Sequence, residues 1–201
     1  MKHIFIKGTN PSKPTFLLLH GTGGNEHDLL PIAGMIDDEA SILSVRGNVS
    51  ENGMPRFFKR LAEGVFDEED LVFRTKELKE FIDQASTDYD FNPNHVIAIG
   101  YSNGANIAGS LLFHYEDALK GAMLLHPMVP IRNLDLPEMK NISVFIGAGK
   151  NDPICLPQET EELASLLQGA GATVETHWEN NGHSLTRTEI EKAAEWYEKN
   201  F

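Results

Sequence analysis

The stretch that decides the fold is Val96-Ile97-Ala98-Ile99-Gly100-Tyr101-Ser102-Asn103-Gly104-Ala105-Asn106. Four apolar residues lead into Gly-x-Ser-x-Gly, and a segment with helical periodicity follows. This order of strand, sharp turn and helix is the setting that a nucleophile elbow requires. Because Gly100 and Gly104 have no Cβ atom, the strand and the helix can approach closely around the turn. We therefore predict that the Ser102 hydroxyl projects from the end of a strand as a nucleophile; a plain glycine-rich turn is the alternative.

Short apolar runs recur along the rest of the chain, and segments with helical periodicity separate them. The runs predicted as strands are Thr15–His20, Ser41–Val45, Val96–Gly100, Gly121–His126, Ile142–Gly147 and Thr173–Trp178, with His3–Ile6 as an edge strand. Helices are predicted at Asp70–Asp88, Asn103–Tyr115, Pro157–Gly169 and Thr186–Lys199, and another around Pro55–Glu63 within the irregular stretch Asn48–Asp67. This alternation predicts one α/β domain over residues 1–201, with a mainly parallel central sheet and helices on both faces.

A serine hydroxyl is a weak nucleophile that needs a base, and the base needs a third group to orient it. In hydrolases built on this elbow the chain order is serine, acid, histidine. Asp152 follows the predicted strand Ile142–Gly147, and His183 follows the next strand along the chain. Both therefore lie at the carboxyl edge of the sheet, where open α/β sheets place their sites. The sequence predicts Ser102, Asp152 and His183 as a catalytic triad.

Two other histidines, His20 and His126, also end predicted strands on the same edge of the sheet. Neither follows Asp152 in the chain, so each is a rival base with the wrong order. We interpret His20 as structural support for the loop after it. We place His126 on the wall of the substrate pocket, together with Gly23.

The glycine-rich run His20-Gly21-Thr22-Gly23-Gly24 comes directly after the strand Thr15–His20. Backbone N–H groups in such a loop and in the residue after the nucleophile form an oxyanion hole. We therefore predict the backbone N–H groups of Thr22 and Asn103 as its two donors. The spacing fits neither Gly-x-Gly-x-x-Gly nor a Walker pattern, so phosphate binding is disfavoured.

Composition excludes several function classes. The 17 basic and 30 acidic residues give a net charge of −13, which disfavours binding to nucleic acid and to anionic membranes. The single cysteine, Cys155, permits neither an internal disulfide nor a cysteine-based zinc site, and no metal or other cofactor is expected. The N-terminus has no long apolar segment, so we expect a soluble, cytoplasmic protein.

Taken together, these motifs resemble the carboxylesterase/phospholipase family of α/β-hydrolases, in the branch with acyl-protein thioesterase-like enzymes. The resemblance rests on His20-Gly21-Thr22-Gly23, Gly100–Gly104, Asp152 and Gly182-His183. The segment from Arg46 to Phe58 is similar to small bacterial hydrolases of the hydroquinone-stress type. Better-known members have Leu and Gln where this chain has Thr22 and Asn103, which leaves the acyl preference open.

The resemblance implies an α/β-hydrolase fold, a Ser-His-Asp mechanism through an acyl-enzyme, and no cofactor. The chain leaves little room for a large lid, so we expect a small-molecule ester or thioester with a short acyl group as the substrate. A homodimer stays open. Two other functions also stay open: a non-catalytic binding protein on the same fold, and cofactor-free perhydrolase or oxidative chemistry on the same triad.

Overall fold

The computed structural model describes residues 1–201, and a seven-stranded sheet forms its centre. The strands are β1 His3–Ile6, β2 Thr15–Leu19, β3 Ser41–Val45, β4 Val49–Glu51, β5 Met54–Arg56, β6 Arg60–Ala62, β7 Val65–Phe66, β8 Val96–Tyr101, β9 Gly121–Leu125, β10 Ser143–Gly149 and β11 Thr173–Glu179. The central sheet has the order β1-β3-β2-β8-β9-β10-β11. Only β1 is antiparallel to its neighbour, so the predicted mainly parallel sheet and its edge strand are confirmed.

Helices cover both faces of this sheet. They are α1 Leu30–Ile36, α2 Glu68–Tyr89, α3 Asn103–His114, α4 Pro157–Gly169 and α5 Arg187–Asn200. Alternate residues of β2 belong to opposite hydrophobic cores: Leu17 and Leu19 lie with α2, α3 and α4, whereas Phe16 and Leu18 lie with α1 and α5. This alternation follows from the two-residue period of a strand, and it confirms the predicted two-sided arrangement. None of the five helices combines the length and the apolar character that a membrane span requires.

The four predicted helices other than Pro55–Glu63 are confirmed to within about two residues at each end. The α5 helix begins with a capping box in which Thr186 and Glu189 exchange hydrogen bonds. Sequence reasoning missed the short α1 helix. Its first turn contains Pro31, and no side chain caps its amino end, so the usual start signal is absent.

The prediction of a helix around Pro55–Glu63 is wrong. Residues 48–67 form two short hairpins, β4–β5 and β6–β7, between β3 and α2. Asn52 and Gly53 both have positive φ angles, 52° and 81°, which is the backbone that a tight two-residue hairpin turn requires. The Asn-Gly pair therefore carried the correct local signal.

Candidate active site

Ser102 lies in a strained turn between β8 and α3. Its φ and ψ angles are 52° and −113°, outside the conformations that a serine normally adopts. A Cβ atom on Gly100 would lie 2.6 Å from the Gly104 carbonyl oxygen, and one on Gly104 would lie 1.9 Å from the Leu19 carbonyl oxygen. Only glycine fits at these two positions, so the packing of β2, β8 and α3 holds the turn in this conformation.

Two loops bring His183 and Asp152 to the serine. The Nε2 atom of His183 is 2.8 Å from the Ser102 Oγ, and its Nδ1 atom is 2.7 Å from Asp152 Oδ2. The loops follow β10 and β11, and they pack so closely that a Cβ atom on Gly149 would lie 2.2 Å from the Gly182 carbonyl oxygen. The structure thus brings the three residues predicted as a triad into one continuous hydrogen-bonded chain.

The Tyr101 side chain holds the loop that contains His183 in place. Its hydroxyl donates to the His183 carbonyl oxygen over 2.5 Å, and the two rings are 5.5 Å apart. Burial, and then the negative charge of Asp152, raise the pKa of Tyr101 to about 12, so the hydroxyl keeps its proton. Sequence reasoning did not assign a role to Tyr101, although its place beside the nucleophile is a usable signal.

Asp152 is buried and accepts four hydrogen bonds. Its Oδ1 accepts from the backbone N–H groups of Ile154 and Cys155, and its Oδ2 accepts from His183 and His126. Burial alone would raise the pKa of this carboxyl. The Cys155 amide and then the two imidazoles outweigh burial and hold the Asp152 pKa below its ordinary value. The carboxylate is therefore an anion with all of its acceptor positions engaged.

The expectation that His126 lines the substrate pocket is wrong. Its side chain is completely buried, its Nδ1 lies 2.9 Å from Asp152 Oδ2, and its ring lies 5.2 Å from the His183 ring. The ring lies behind the acid because a positive φ of 53° turns the backbone sharply after β9. Sequence reasoning placed His126 at the correct edge of the sheet but not at the correct depth.

The Thr22 and Asn103 backbone N–H groups lie at the mouth of the same site. Both residues line the cavity that contains Ser102. Neither backbone N–H group donates to a carbonyl oxygen in a turn, a loop or a helix cap of the protein. Their side chains bind the hairpin region instead: Thr22 Oγ1 accepts from Arg56, and Asn103 Oδ1 accepts from the Phe57 amide. The two amide donors are therefore available to a ligand.

His20 and Gly23 shape the loop that contains Thr22. Burial lowers the pKa of His20, and the neutral ring donates from Nδ1 to the Gly21 carbonyl oxygen and accepts at Nε2 from the Gly47 amide. Gly23 has a φ of 82°, and it lines a shallow neighbouring cavity rather than the one that holds Ser102. This geometry is that of structural support for the loop.

The cavity beside Ser102 has a volume of about 380 Å³. Its walls carry apolar side chains and a set of hydrogen-bond donors that sequence reasoning did not assign. Among the donors are Arg56 and Arg60, which share one carboxylate, Glu51, at 3.2 Å and 3.0 Å. Arg56 lies in the hairpin β4–β5 and Arg60 in the hairpin β6–β7. Because the sequence did not predict these hairpins, it did not predict this part of the site either.

The buried Cys155 thiol lies beside the two histidines that contact Asp152. The Cys155 thiol donates to the His126 carbonyl oxygen, and burial raises its pKa, so it stays protonated and is no nucleophile. His126, Asp152 and His183 have potential metal-ligating atoms within 4.8 Å of one another. Both imidazoles, however, direct an N–H at one carboxylate oxygen, and a cation would have to displace both protons.

Comparisons with known proteins agree with this geometry. Residues 55–200 match the model of the Dienelactone hydrolase family. The chain is 61% identical over 199 residues to MhqD of Bacillus subtilis strain 168, which is named as a hydrolase, covering 99% of this chain and 98% of MhqD. It is 27% identical to acyl-protein thioesterase 1 of Cryptococcus neoformans over 77% of this chain and 72% of that protein.

Two solved structures are similar over the whole chain. A Bacillus cereus carboxylesterase has 67% sequence identity and a TM-score of 0.99, covering 100% of this chain and 95% of that one. The structure of YahD with malic acid has 31% identity and a TM-score of 0.95, covering 100% and 99%.

Proposed function

This chain belongs to the dienelactone hydrolase family and is an esterase-type hydrolase; from that premise we propose that it cleaves carboxylic esters or thioesters through an acyl-enzyme formed on Ser102. The observation that carries the proposal is the hydrogen-bonded chain from Ser102 through His183 to Asp152. All three residues follow strands at one edge of one sheet, which supports a single hydrolase domain over residues 1–201.

The hydrogen bonds define the proton movements. A carboxylate only accepts, so His183 Nδ1 carries a proton toward Asp152, and Nε2 has a lone pair directed at the Ser102 hydroxyl. His183 takes the serine proton as Oγ attacks the substrate carbonyl carbon, and it returns that proton to the leaving alcohol or thiol. Water then attacks the acyl-enzyme by the same steps, which releases the acid and restores Ser102.

The tetrahedral oxyanion needs donors that are already in place. The free N–H groups of Thr22 and Asn103 supply them, and the Asn103 N–H also lies at the amino end of α3, where the helix dipole favours negative charge. Removing one such donor in a related site costs about 10² to 10³ in kcat.

The cavity favours a small substrate with an anionic or acceptor-rich group. Arg56 and Arg60 share the carboxylate of Glu51, and a second acidic residue, Glu63, also lines the cavity. The N–H groups of the two guanidinium groups, rather than an excess of positive charge, would therefore hold an acid-bearing substrate. Arg56 is almost completely buried, which strengthens its interactions with any bound anion. The similarity to YahD, whose structure contains malic acid, supports an acid-bearing substrate. The cytoplasmic location and the lack of nucleic-acid binding stay predictions from sequence, and a homodimer stays open.

The direct test measures hydrolysis of p-nitrophenyl esters of graded acyl length, and of one thioester, by wild type and Ser102→Ala. We expect Ser102→Ala to lose on the order of 10⁶ in kcat with an unchanged melting temperature. Fluorophosphonate should label the wild type rapidly and Ser102→Ala not at all, with the exposed Ser12→Ala as the matched control. More than a tenth of the wild-type rate in Ser102→Ala would refute the assignment. An arm with added peroxide separates perhydrolase chemistry from plain hydrolysis.

A further inference from the structure

Behind the proposed triad lies a second histidine that the mechanism does not use. His126 Nδ1 and His183 Nδ1 both donate to the same oxygen of Asp152, at 2.9 Å and 2.7 Å. Because the carboxylate only accepts, each imidazole must carry a proton on that nitrogen. The groups that can titrate and that face the His126 ring or its backbone are Asp152, Glu189, His183, Tyr101 and Cys155.

The other ring nitrogen of His126 faces Glu189. The distance from Nε2 to Glu189 Oε1 is 3.4 Å, both side chains are fully buried, and neither atom has any other hydrogen-bond partner. A lone pair on Nε2 directed at a carboxylate oxygen would be repulsive at this fully buried position. A proton must therefore lie between these two atoms, on His126 or on Glu189.

The surroundings place that proton on His126. Burial alone lowers the pKa of His126, but the hydrogen bond and charge of Glu189, followed by those of Asp152, outweigh it and raise the pKa. Two carboxylates flank the ring, one at each nitrogen, and a cation between them compensates both. Gly147 admits this arrangement, because a Cβ atom there would lie 2.0 Å from Glu189 Oε1.

We propose that His126 is a positioning residue: it is held as an imidazolium between Glu189 and Asp152, and its Nδ1–H fixes the Asp152 oxygen that orients His183. The proposal rests on the proposed serine-hydrolase function for its kinetic consequence. The His126 ring lies 5.2 Å from the His183 ring, so the Asp152 oxygen that it fixes is the one on which the orientation of the base depends.

A spectroscopic experiment tests the protonation state without any substrate. The protein is labelled with ¹⁵N-histidine, and the His126 signals among the eight histidines are assigned by their absence from the spectrum of His126→Gln. We expect both His126 nitrogens to be protonated at neutral pH. An unprotonated His126 nitrogen at neutral pH would overturn the proposal, whether or not the protein hydrolyses esters.

A kinetic experiment tests the consequence for the triad. Glu189→Gln removes the carboxylate charge but keeps the capping-box acceptor at the start of α5, so the helix can still form. The glutamine amide can donate to Nε2, and His126 then becomes neutral. We expect kcat to fall about fivefold, because the His126 Nδ1–H that fixes the Asp152 oxygen is then a neutral donor instead of a charged one. The KM at the pH optimum should not change, since neither residue lines the cavity.

Glu191→Gln is the matched control, since it makes the same change of charge on the exposed side of the same helix. Its kcat and KM should equal those of the wild type. A Glu189→Gln enzyme that keeps the wild-type kcat, or that changes KM rather than kcat, would overturn the proposal. If the wild type hydrolyses no ester at all, the proposed function fails instead, and the spectroscopic arm alone decides the state of His126.

Discussion

Replacing Asp152 with asparagine tests the acid of the proposed triad with almost no change of shape. The carboxylate accepts four hydrogen bonds, two from backbone amides on Oδ1 and two from imidazoles on Oδ2. Asparagine has one acceptor oxygen and one donor NH₂ group. The oxygen can keep both backbone donors, Ile154 and Cys155, so the NH₂ group must face the imidazoles.

The consequence for His183 follows from this orientation. An NH₂ group facing Nδ1 favours the tautomer with a lone pair on Nδ1 and a proton on Nε2. That proton then points at the Ser102 oxygen, 2.8 Å away, and His183 can no longer accept the serine proton. Loss of tautomer control in this way lowers kcat by about 10⁴, or about 5 kcal/mol of transition-state stabilisation.

The assay compares kcat for p-nitrophenyl acetate and the rate of fluorophosphonate labelling in Asp152→Asn and wild type. Asp83→Asn is the control, because that residue forms an exposed ion pair with Lys79 on α2. Thermal melting establishes that both variants are folded. If folded Asp152→Asn keeps more than about a hundredth of the wild-type kcat, the acid has been misassigned and the tautomer argument fails.

Three further changes have defined outcomes. Arg60→Gln should lower kcat/KM about tenfold for a succinate monoester relative to the butyrate ester, as a charge-assisted hydrogen bond of about 1.5 kcal/mol is lost; exposed Arg132→Gln should not, and equal ratios in both would refute an anion site. Gly104→Ala should unfold at a much lower temperature than wild type, since its Cβ would lie 1.9 Å from a main-chain oxygen of β2, whereas Gly34→Ala has open space and should not; equal melting temperatures would contradict the close packing. Burial would raise the pKa of Glu26, but hydrogen bonds from its own backbone amide, from Arg46 and from Lys2 outweigh burial and lower the pKa from 4.5 to about 2. The ionised Glu26 carboxylate therefore contributes its full stabilisation above pH 4.5, and this contribution disappears toward pH 2. The loss of melting temperature in Glu26→Gln should therefore be largest near neutral pH and shrink across that interval, and a difference that grows on acidification would reverse the argument.

Local sequence rules account for most of the fold. The strands β2, β3, β8, β9 and β10 read as apolar runs because each of these inner strands is covered on both faces of the sheet. The capping box of α5 was also predictable from the sequence, because Thr186 and Glu189 interact across a single helical turn. The hairpins at residues 48–67 were missed because their strands have only two or three residues each, too few to show an alternating pattern.

Some residues of the candidate site were predictable from the sequence, and others were not. Ser102, Asp152 and His183 follow β8, β10 and β11. Their meeting was predictable from the sequence, because parallel strands end at one edge of the sheet and the loops after them lie close together. The depth of His126 was not, because the end of a strand specifies an edge of the sheet but not which way a side chain turns when φ becomes positive. The arginines of the cavity were hidden with the hairpins that carry them.

The amino-acid sequence by itself therefore determined the α/β architecture, the nucleophile turn and the order of the groups that follow it, since each depends on neighbours within a few residues or on strand polarity. The tertiary structure decided that Asp152 serves two histidines and that Glu189 faces the second of them. Glu189 is the third residue of α5, and the sequence predicts for it only a role in the helix cap. Its carboxylate is buried beside His126 because α5 packs against β10 and because Gly147 leaves space for it. Contacts between such distant segments depend on packing at atomic scale, which no local pattern in the chain encodes.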